Sequence, residues 1–315
     1  TRDPSSAASD VYKRQVLNAR IRKAYIENNC KIGLIGPKLD LTYDYHHLSD
    51  SLDYLNKLSN NKSEFNKVLK SAKNPLIILG TSAINNDHGK KILETAGLIA
   101  KKIQKNKNTN PLNILNQDIS RVGALDLKFY NKKFDNDYNK QLKKHIDKTK
   151  PVVFLMGLDE INFSTFENAF VVYLGHHGDV SASIADIILP TPAYTEKSST
   201  YMNIEGRVIQ TTKCHNPIGE AKEEWKIFRV LSDLFEKNLN FNNLGELRNE
   251  LTSTYGQFAL LNEVNSIGEI TFAKNNKIEN IKIKYNIENF YMNDSISRSS
   301  ETMAKCTKDI LNKAA

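Results

Sequence analysis

"PVVFLMGLDEINFSTFENAFVVYLGHHGDVSASIADIILP", Pro151 to Pro190, contains three apolar runs that decide the fold class. "PVVFLMG", "AFVVYLG" and "DIILP" lack the polar alternation of a strand with one wet face, so each reads as a strand buried on both faces of a parallel sheet. Two earlier runs have the same character, "KIGLIG" from Lys31 and "PLIILG" from Pro75, and four of the five end in glycine. Helical patterns lie between and after them. Behind Asn86 and Asp87 as cap candidates, Ile92, Ala96, Ile99 and Ile103 recur at three- and four-residue spacing and predict one apolar helix face. Ile114, Leu115, Val122 and Leu125 predict a second helix, and Trp225, Phe228, Leu231 and Phe235 a third. Strand, helix, strand in alternation predicts an α/β fold with a doubly wound, mostly parallel sheet. Such sheets bind ligands outside the carboxyl ends of their strands. The loops after Gly36, Gly80, Gly157, Gly175 and Pro190 are therefore the candidate sites.

Working outward, the 315 residues are enough for a sizeable core. Hydrophobic residues make up 40% and charged residues 25%, which excludes disorder as the general state. No run of about 18 apolar residues occurs, so no direct membrane span is expected. The first fifteen residues, "TRDPSSAASDVYKRQ", have no apolar core of a signal peptide and read as a sequencing or cloning scar. They are set aside, which leaves a domain over 16–238. Beyond Asn238 the rhythm loosens, and "NNKIENIKIKYNIENFYMNDS" separates the core from a last helix capped by Asp294, with Ile296, Met303, Cys306 and Ile310 on one stripe. Residues 239–315 thus form a helical C-terminal extension.

The net charge of +8 is local. Residues 101–150 hold thirteen Lys or Arg against five Asp, equal to the whole excess. The lysines are mixed with Asn and Asp, without the aromatic interleaving of a base-stacking surface, so a solvated face or a docking patch is expected and no nucleic acid. Three scattered cysteines, Cys30, Cys214 and Cys306, cannot supply a four-thiolate cluster or a disulfide framework. They fit a reducing compartment.

No dinucleotide fingerprint, P-loop, GxSxG elbow, HExxH or calcium loop is present, which excludes the chemistries those motifs carry. The densest polar cluster is "GHHGD", with His176, His177 and Asp179 as metal candidates. Adjacent residues on extended backbone point to opposite sides, so a turn with Asp179 capping the next helix is preferred there over a metal. His46 and His47 stand in a tyrosine-rich loop that reads as surface, with Asp50 capping a helix near Ser51. Arg20 and Arg22 in "NARIRK" are placed just before a strand, where they suit an anion or fix layers together. Cys214 beside His215 has no third partner at a recognisable spacing and reads as structural.

"ADIILPTPAYTEKSSTYMNIEGRVIQT", Ala185 to Thr211, followed by "NPIGEAKEEWKIFRVLSDLF", resembles the molybdopterin oxidoreductases, which include formate dehydrogenases and nitrate reductases. Together with "LNARIRKAYI", "IGLIGPKLDLTYDYHHL", "GHHGDV" and "FYMNDSISRSSETMAKC", it is similar to the large iron–sulfur subunits of respiratory complex I, the NADH-quinone oxidoreductase. The resemblance runs from about Leu17 to Cys306. It implies a peripheral-arm subunit of a proton-translocating NADH:quinone oxidoreductase whose 4Fe-4S and 2Fe-2S clusters are held by a ferredoxin-like region upstream of Val16. It implies no cofactor and no catalytic residue within these 315 residues. Thr200, Asn203, Glu205 and Arg207 would line a relic of the pterin pocket, now an internal polar network with Arg207 paired to a carboxylate. The implied partners are other peripheral-arm subunits, and the implied location is the cytoplasmic side of a bacterial inner membrane or the mitochondrial matrix side. A catalytic molybdopterin oxidoreductase, such as a formate dehydrogenase subunit, is the alternative.

Overall fold

The computed structural model describes residues 4–84, 86–106, 109–116, 119, 121–129, 138–158, 162–178, 180–264, 277–282, 289 and 291–311. Contacts divide the chain into two compact units, 1–117 with 266–290 and 311–315, and 118–265 with 291–310. The region 239–315 is thereby shared between them.

The first unit opens with α1 (Pro4–Asn28), which contains Arg20 and Arg22; they lie within a helix and not on the approach to a strand. Two short parallel strands follow, β1 (Gly33–Ile35) and β2 (His46–Ser49). The tyrosine-rich loop between them is structural. Tyr25 donates to the Asp44 carboxylate at 2.8 Å, Tyr43 to the Asn18 side chain at 2.9 Å, and Tyr45 to the Leu39 carbonyl at 2.7 Å. His47 Nε2 sits 2.8 Å from the Gly36 carbonyl and 3.2 Å from Asp50. The hydrogen bond to Asp44, with burial and the carboxylate charge behind it, raises the Tyr25 phenol above its ordinary pKa.

Next come α2 (Tyr54–Ser59), α3 (Phe65–Ser71), β3 (Ile77–Gly80), α4 (Thr81–Ile84), α5 (Gly89–Ile103) and β4 (Leu112–Leu115). β3 and β4 pair in parallel around α5. The expected stripe on α5 is observed: Ile92, Ala96, Ile99 and Ile103 are all buried against Leu52, Leu55, Leu58 and Leu79. Its cap differs from expectation. His88 occupies the N-cap without a side-chain bond, and Asn86 instead accepts the His88 N–H at 2.9 Å. Ile114 and Leu115 belong to β4, not to a helix: they pair in parallel with Leu79 and Gly80, and the Asn113 that interrupts the apolar run masks the strand in the sequence. Ile278 joins this core, 1% exposed. Ile278 and the half-buried Ile281, in a stretch read from sequence as a separator, therefore pack against the core, while Leu52 N–H donates to the Ile281 carbonyl and Ser51 bridges Lys282.

The second unit contains α6 (Arg121–Asp126), α7 (Tyr138–Thr149), β5 (Val152–Met156), β6 (Phe170–Gly175), α8 (Val180–Ser183) and β7 (Ile187–Pro190). The three strands decided from sequence form one parallel sheet in the order β5-β6-β7. Leu155, Val171 and Tyr173 centre the core on one of its faces. On the other face Val172 and Leu174 are buried and Phe154 meets the Phe228 ring at 5.9 Å. Then come β8 (Thr200–Met202), β9 (Val208–Gln210), α9 (Glu224–Leu234), α10 (Leu244–Thr254), α11 (Ser295–Arg298) and α12 (Glu301–Cys306). The fold is mixed α/β with parallel pairing. Among the described residues the parallel strands stand in separate sheets of two, two and three, and β8 with β9 is antiparallel.

Asp294 caps α11 as expected. It accepts the N–H groups of Ile296 and Ser297 at 3.0 Å each, and Ser297 returns a bond to the Asp294 N–H. The predicted continuous helix is broken, however. Ser300 begins α12 as a new N-cap, accepting from Met303 N–H, because serine hydroxyls compete with the helix ladder for backbone groups.

Candidate functional site

Thr200, Asn203, Glu205 and Arg207 all lie on one β-hairpin. β8 and β9 pair with Thr200 opposite Gln210, Tyr201 opposite Ile209 and Met202 opposite Val208. The turn is built by Asn203. Its side-chain oxygen accepts the N–H groups of Glu205 (2.9 Å) and Arg207 (3.0 Å), while its backbone exchanges bonds with Arg207 and Gly206. Gly206 holds φ +79, a left-handed conformation in which a Cβ is strained. The Arg207 guanidinium donates to the Asn262 carbonyl and stands 3.6 Å from Glu205. A carboxylate partner was expected, and Glu205 fills that place. The expected interior location is not found, since Glu205 is 53% exposed and the pair lies at the surface.

The residues leading into the hairpin are spent on backbone. Glu196 accepts from Ala193 N–H, Ser198 from Lys213 N–H, and the Thr211 hydroxyl from Ser199 N–H. Lys197 reaches Glu224 in the first turn of α9 at 2.5 Å. Trp225 donates its indole N–H to Glu223 at 2.8 Å and meets the Phe241 ring edge-on.

Beneath the hairpin is a cavity of about 200 Å³. Leu127, Phe129, Tyr201, Met202, Leu251 and Phe258 line most of it. Small-molecule sites run to roughly 300–1,000 Å³ with a few convergent polar groups. A pterin nucleotide carries many hydrogen-bonding groups and phosphates. Thr200 is the one of the four candidates that lines this space, while Asn203 is engaged with its own turn and Arg207 with Glu205 and the Asn262 carbonyl; the small apolar space does not fit such a group.

His176 and His177 follow β6 in a bend, so the alternation of extended backbone does not separate them. Their Nδ1 atoms lie 2.6 Å apart with the rings edge to face, one nitrogen donating to the other. The turn is tightly packed: a Cβ on Gly175 would lie 2.1 Å from the Tyr173 hydroxyl, which donates to the His177 carbonyl. Asp179, the third metal candidate, lies outside the described residues. Among the described residues no three His, Cys, Asp or Glu side chains gather where they could hold a metal ion. Cys30 and Cys214 are exposed and Cys306 is half-buried. His215 turns its Nδ1 to the Asn216 carbonyl, 2.6 Å away.

Residues 11–234 match the molybdopterin oxidoreductase family. The chain belongs to that family. Residues 263–306 match a second one, the NADH-ubiquinone oxidoreductase G C-terminal domain. Within the family the chain is 38% identical over 301 residues to the NADH-ubiquinone oxidoreductase 75 kDa subunit of Reclinomonas americana, covering 93% of this chain and 42% of that protein. It is 36% identical over 309 residues to the mitochondrial 78 kDa subunit of Neurospora crassa, covering 94% and 40%. It is 34% identical over 304 residues to the mitochondrial NADH dehydrogenase [ubiquinone] iron-sulfur protein 1 of Solanum tuberosum, covering 93% and 39%. The chain thus spans about two fifths of the length of these curated relatives. Their names do not favour the formate dehydrogenase alternative.

Proposed function

We propose that the chain is part of a peripheral-arm subunit of a proton-translocating NADH:quinone oxidoreductase, where it serves assembly and docking. The observation that carries this reading is the order of two family matches on one chain, a molybdopterin oxidoreductase region followed by the C-terminal domain found in the large NADH-ubiquinone oxidoreductase proteins. An iron–sulfur role for the whole subunit is in keeping with the iron–sulfur name of the Solanum relative. No step of electron transfer is assigned to the residues here, and no catalytic residue. We propose with it the doubly wound arrangement of the family, supported by parallel pairing of β1 with β2, β3 with β4, and β5 with β6 and β7.

Docking uses charge. On α7, Lys144 and Lys148 are exposed, and Lys150 follows just beyond its end, so a partner with an acidic face is favoured by complementarity. No helix among the described residues is long and apolar enough to cross a membrane. As part of a peripheral-arm subunit, the chain would sit in the membrane-extrinsic arm, on the mitochondrial matrix or bacterial cytoplasmic side.

Elemental analysis with cofactor extraction on the native full-length protein tests this. Iron and sulfide without molybdenum or pterin, in a protein that co-migrates with NADH:quinone oxidoreductase activity, is the expected result. Stoichiometric molybdenum with oxidised-pterin fluorescence would overturn it.

A further inference from the structure

Lysines from two distant stretches meet on the surface of the first unit. Lys102 on α5 donates to the Ser59 carbonyl at the end of α2 at 2.5 Å, and Lys105, just beyond α5, donates to the Lys70 carbonyl in the last turn of α3 at 2.9 Å. The Asn66 amide on α3 donates to the Leu58 carbonyl at 2.8 Å, which ties α3 to the same end of α2. Three helices are thus drawn together, and with them the charges they carry. Residues 57–73 and 101–105 hold eight lysines, every one of them exposed, against a single acid, Glu64. A helix C-terminus carries at most about half a negative charge, so three such ends offset on the order of one and a half of the lysines. Lys102 and Lys105 already serve two of those ends. The remaining surplus repels itself and does nothing for the fold.

The chemistry of the surface selects its partner. Neither stretch contains an arginine, and lysine is a compact, strongly hydrated charge that does not stack. A nucleic-acid face wants aromatic or arginine platforms for the bases. The exposed positions of 57–73 are Lys, Asn, Ser and Glu alone, so no apolar side chain is offered there to enter a bilayer. What this surface does match is a protein face rich in Asp and Glu. We propose that the lysine surface of the first unit, which includes Lys62, Lys67 and Lys101, is a docking face for an acidic surface of another protein, held through hydrated, salt-sensitive charge pairs. The inference rests on the assembly reading, since the acidic partner is a neighbouring protein of the same NADH:quinone oxidoreductase. It adds to that reading a surface that counting charge along the chain does not find, because five of the eight lysines lie in 57–73, outside the basic segment 101–150.

Zero-length carbodiimide coupling on the native complex with the full-length protein tests it, because this reagent joins an ammonium only to a carboxylate in direct contact. Cross-linked peptides between these lysines and Asp or Glu of a neighbouring protein are expected, in falling yield as ionic strength rises. Lys62→Glu, Lys67→Glu and Lys101→Glu combined, with the capping Lys102 and Lys105 left in place, should lower the share of the protein recovered in the complex on the order of tenfold without changing its Tm. The three corresponding Gln substitutions should lower that share less, which keeps the test if the reversed variant fails to fold. Cross-links confined to this chain, or a charge-reversed variant that assembles as well as the parent, would overturn the inference. Binding to phosphatidylserine vesicles in place of any protein cross-link would overturn it in favour of a lipid surface. Protein that does not co-migrate with the complex at all sinks the assembly reading and this inference together, whereas co-migration without such cross-links sinks this inference alone.

Discussion

Asn56 and Ile278, 222 positions apart, are joined by a two-point clamp: the Asn56 amide donates to the Ile278 carbonyl at 2.8 Å and accepts the Ile278 N–H at 3.1 Å. A side-chain amide thus stands in for a strand neighbour and lets an isolated segment enter a core without an unsatisfied backbone. Replacing Asn56 with Ala leaves both backbone groups of a 1% exposed residue unpaired. The expected loss is about 2 kcal/mol, measured by urea unfolding. Asn56→Asp should cost at least as much, because a carboxylate faces the Ile278 carbonyl and cannot donate to it. A loss below about 0.5 kcal/mol for both variants would show that the clamp does not hold the segment.

That clamp also shows where sequence reading stops. The five apolar runs were legible because unbroken hydrophobicity on both faces is a local property, and β1, β3, β5, β6 and β7 lie on them. β4 was hidden by Asn113, and the helix break at Ser300 by an apolar stripe that continues across it. The Asn203 to Arg207 motif was legible as a family mark but not as a hairpin. The signal was there in an Asn that can bond its own backbone and a Gly that tolerates positive φ. Ile278 carried no local signal. It looks like any linker isoleucine, and only the tertiary fold gives it its surroundings.

Lys197 and Glu224 connect the loop before the hairpin to the start of α9, with both side chains about a quarter exposed. The carboxylate also suits the positive end of the helix. Partial burial should make this pair worth more than a surface bridge, about 1–2 kcal/mol of coupling in a double-mutant cycle of Lys197→Met and Glu224→Gln. Coupling near zero would reduce the contact to a surface ion pair.

The Asn203 turn separates a structural hairpin from a cofactor loop. Asn203→Leu removes the acceptor of two backbone N–H groups, and Gly206→Ala places a Cβ at φ +79. Each should lower stability by about 1–2 kcal/mol. Neither should change the molybdenum or pterin content of the full-length protein. A variant that keeps its stability but alters cofactor content would contradict the structural assignment.

Tyr25 should be among the last phenols of the chain to ionise. Its hydroxyl donates to Asp44, and its pKa lies above the ordinary value. The sign follows: a raised folded-state pKa gives stability that is fully present below the ordinary tyrosine value, near 10, and lost as pH rises through the higher folded value. Absorbance titration of phenolate formation should show a late component that Tyr25→Phe removes. An unchanged titration in that variant would place the late component on another tyrosine.

Asp294 gives the opposite pH dependence. Partial burial pushes its carboxyl up, but the Ser297 N–H and hydroxyl, the Ile296 N–H and the nearby Arg298 together outweigh that effect and hold it below the ordinary value. A depressed folded-state pKa gives stability that is present above the unfolded value, near 3.9, and lost as pH falls through the lower folded value. Asp294→Ala removes the capping box and should cost about 1 kcal/mol at neutral pH. The difference between parent and variant should shrink on acidification, as the parent protonates the same carboxyl and loses its charge-assisted bonds. Chemical unfolding of both proteins from pH 7 to pH 3 checks it. A difference that stays constant over that range would mean the cap acts through shape alone and the carboxylate charge contributes nothing.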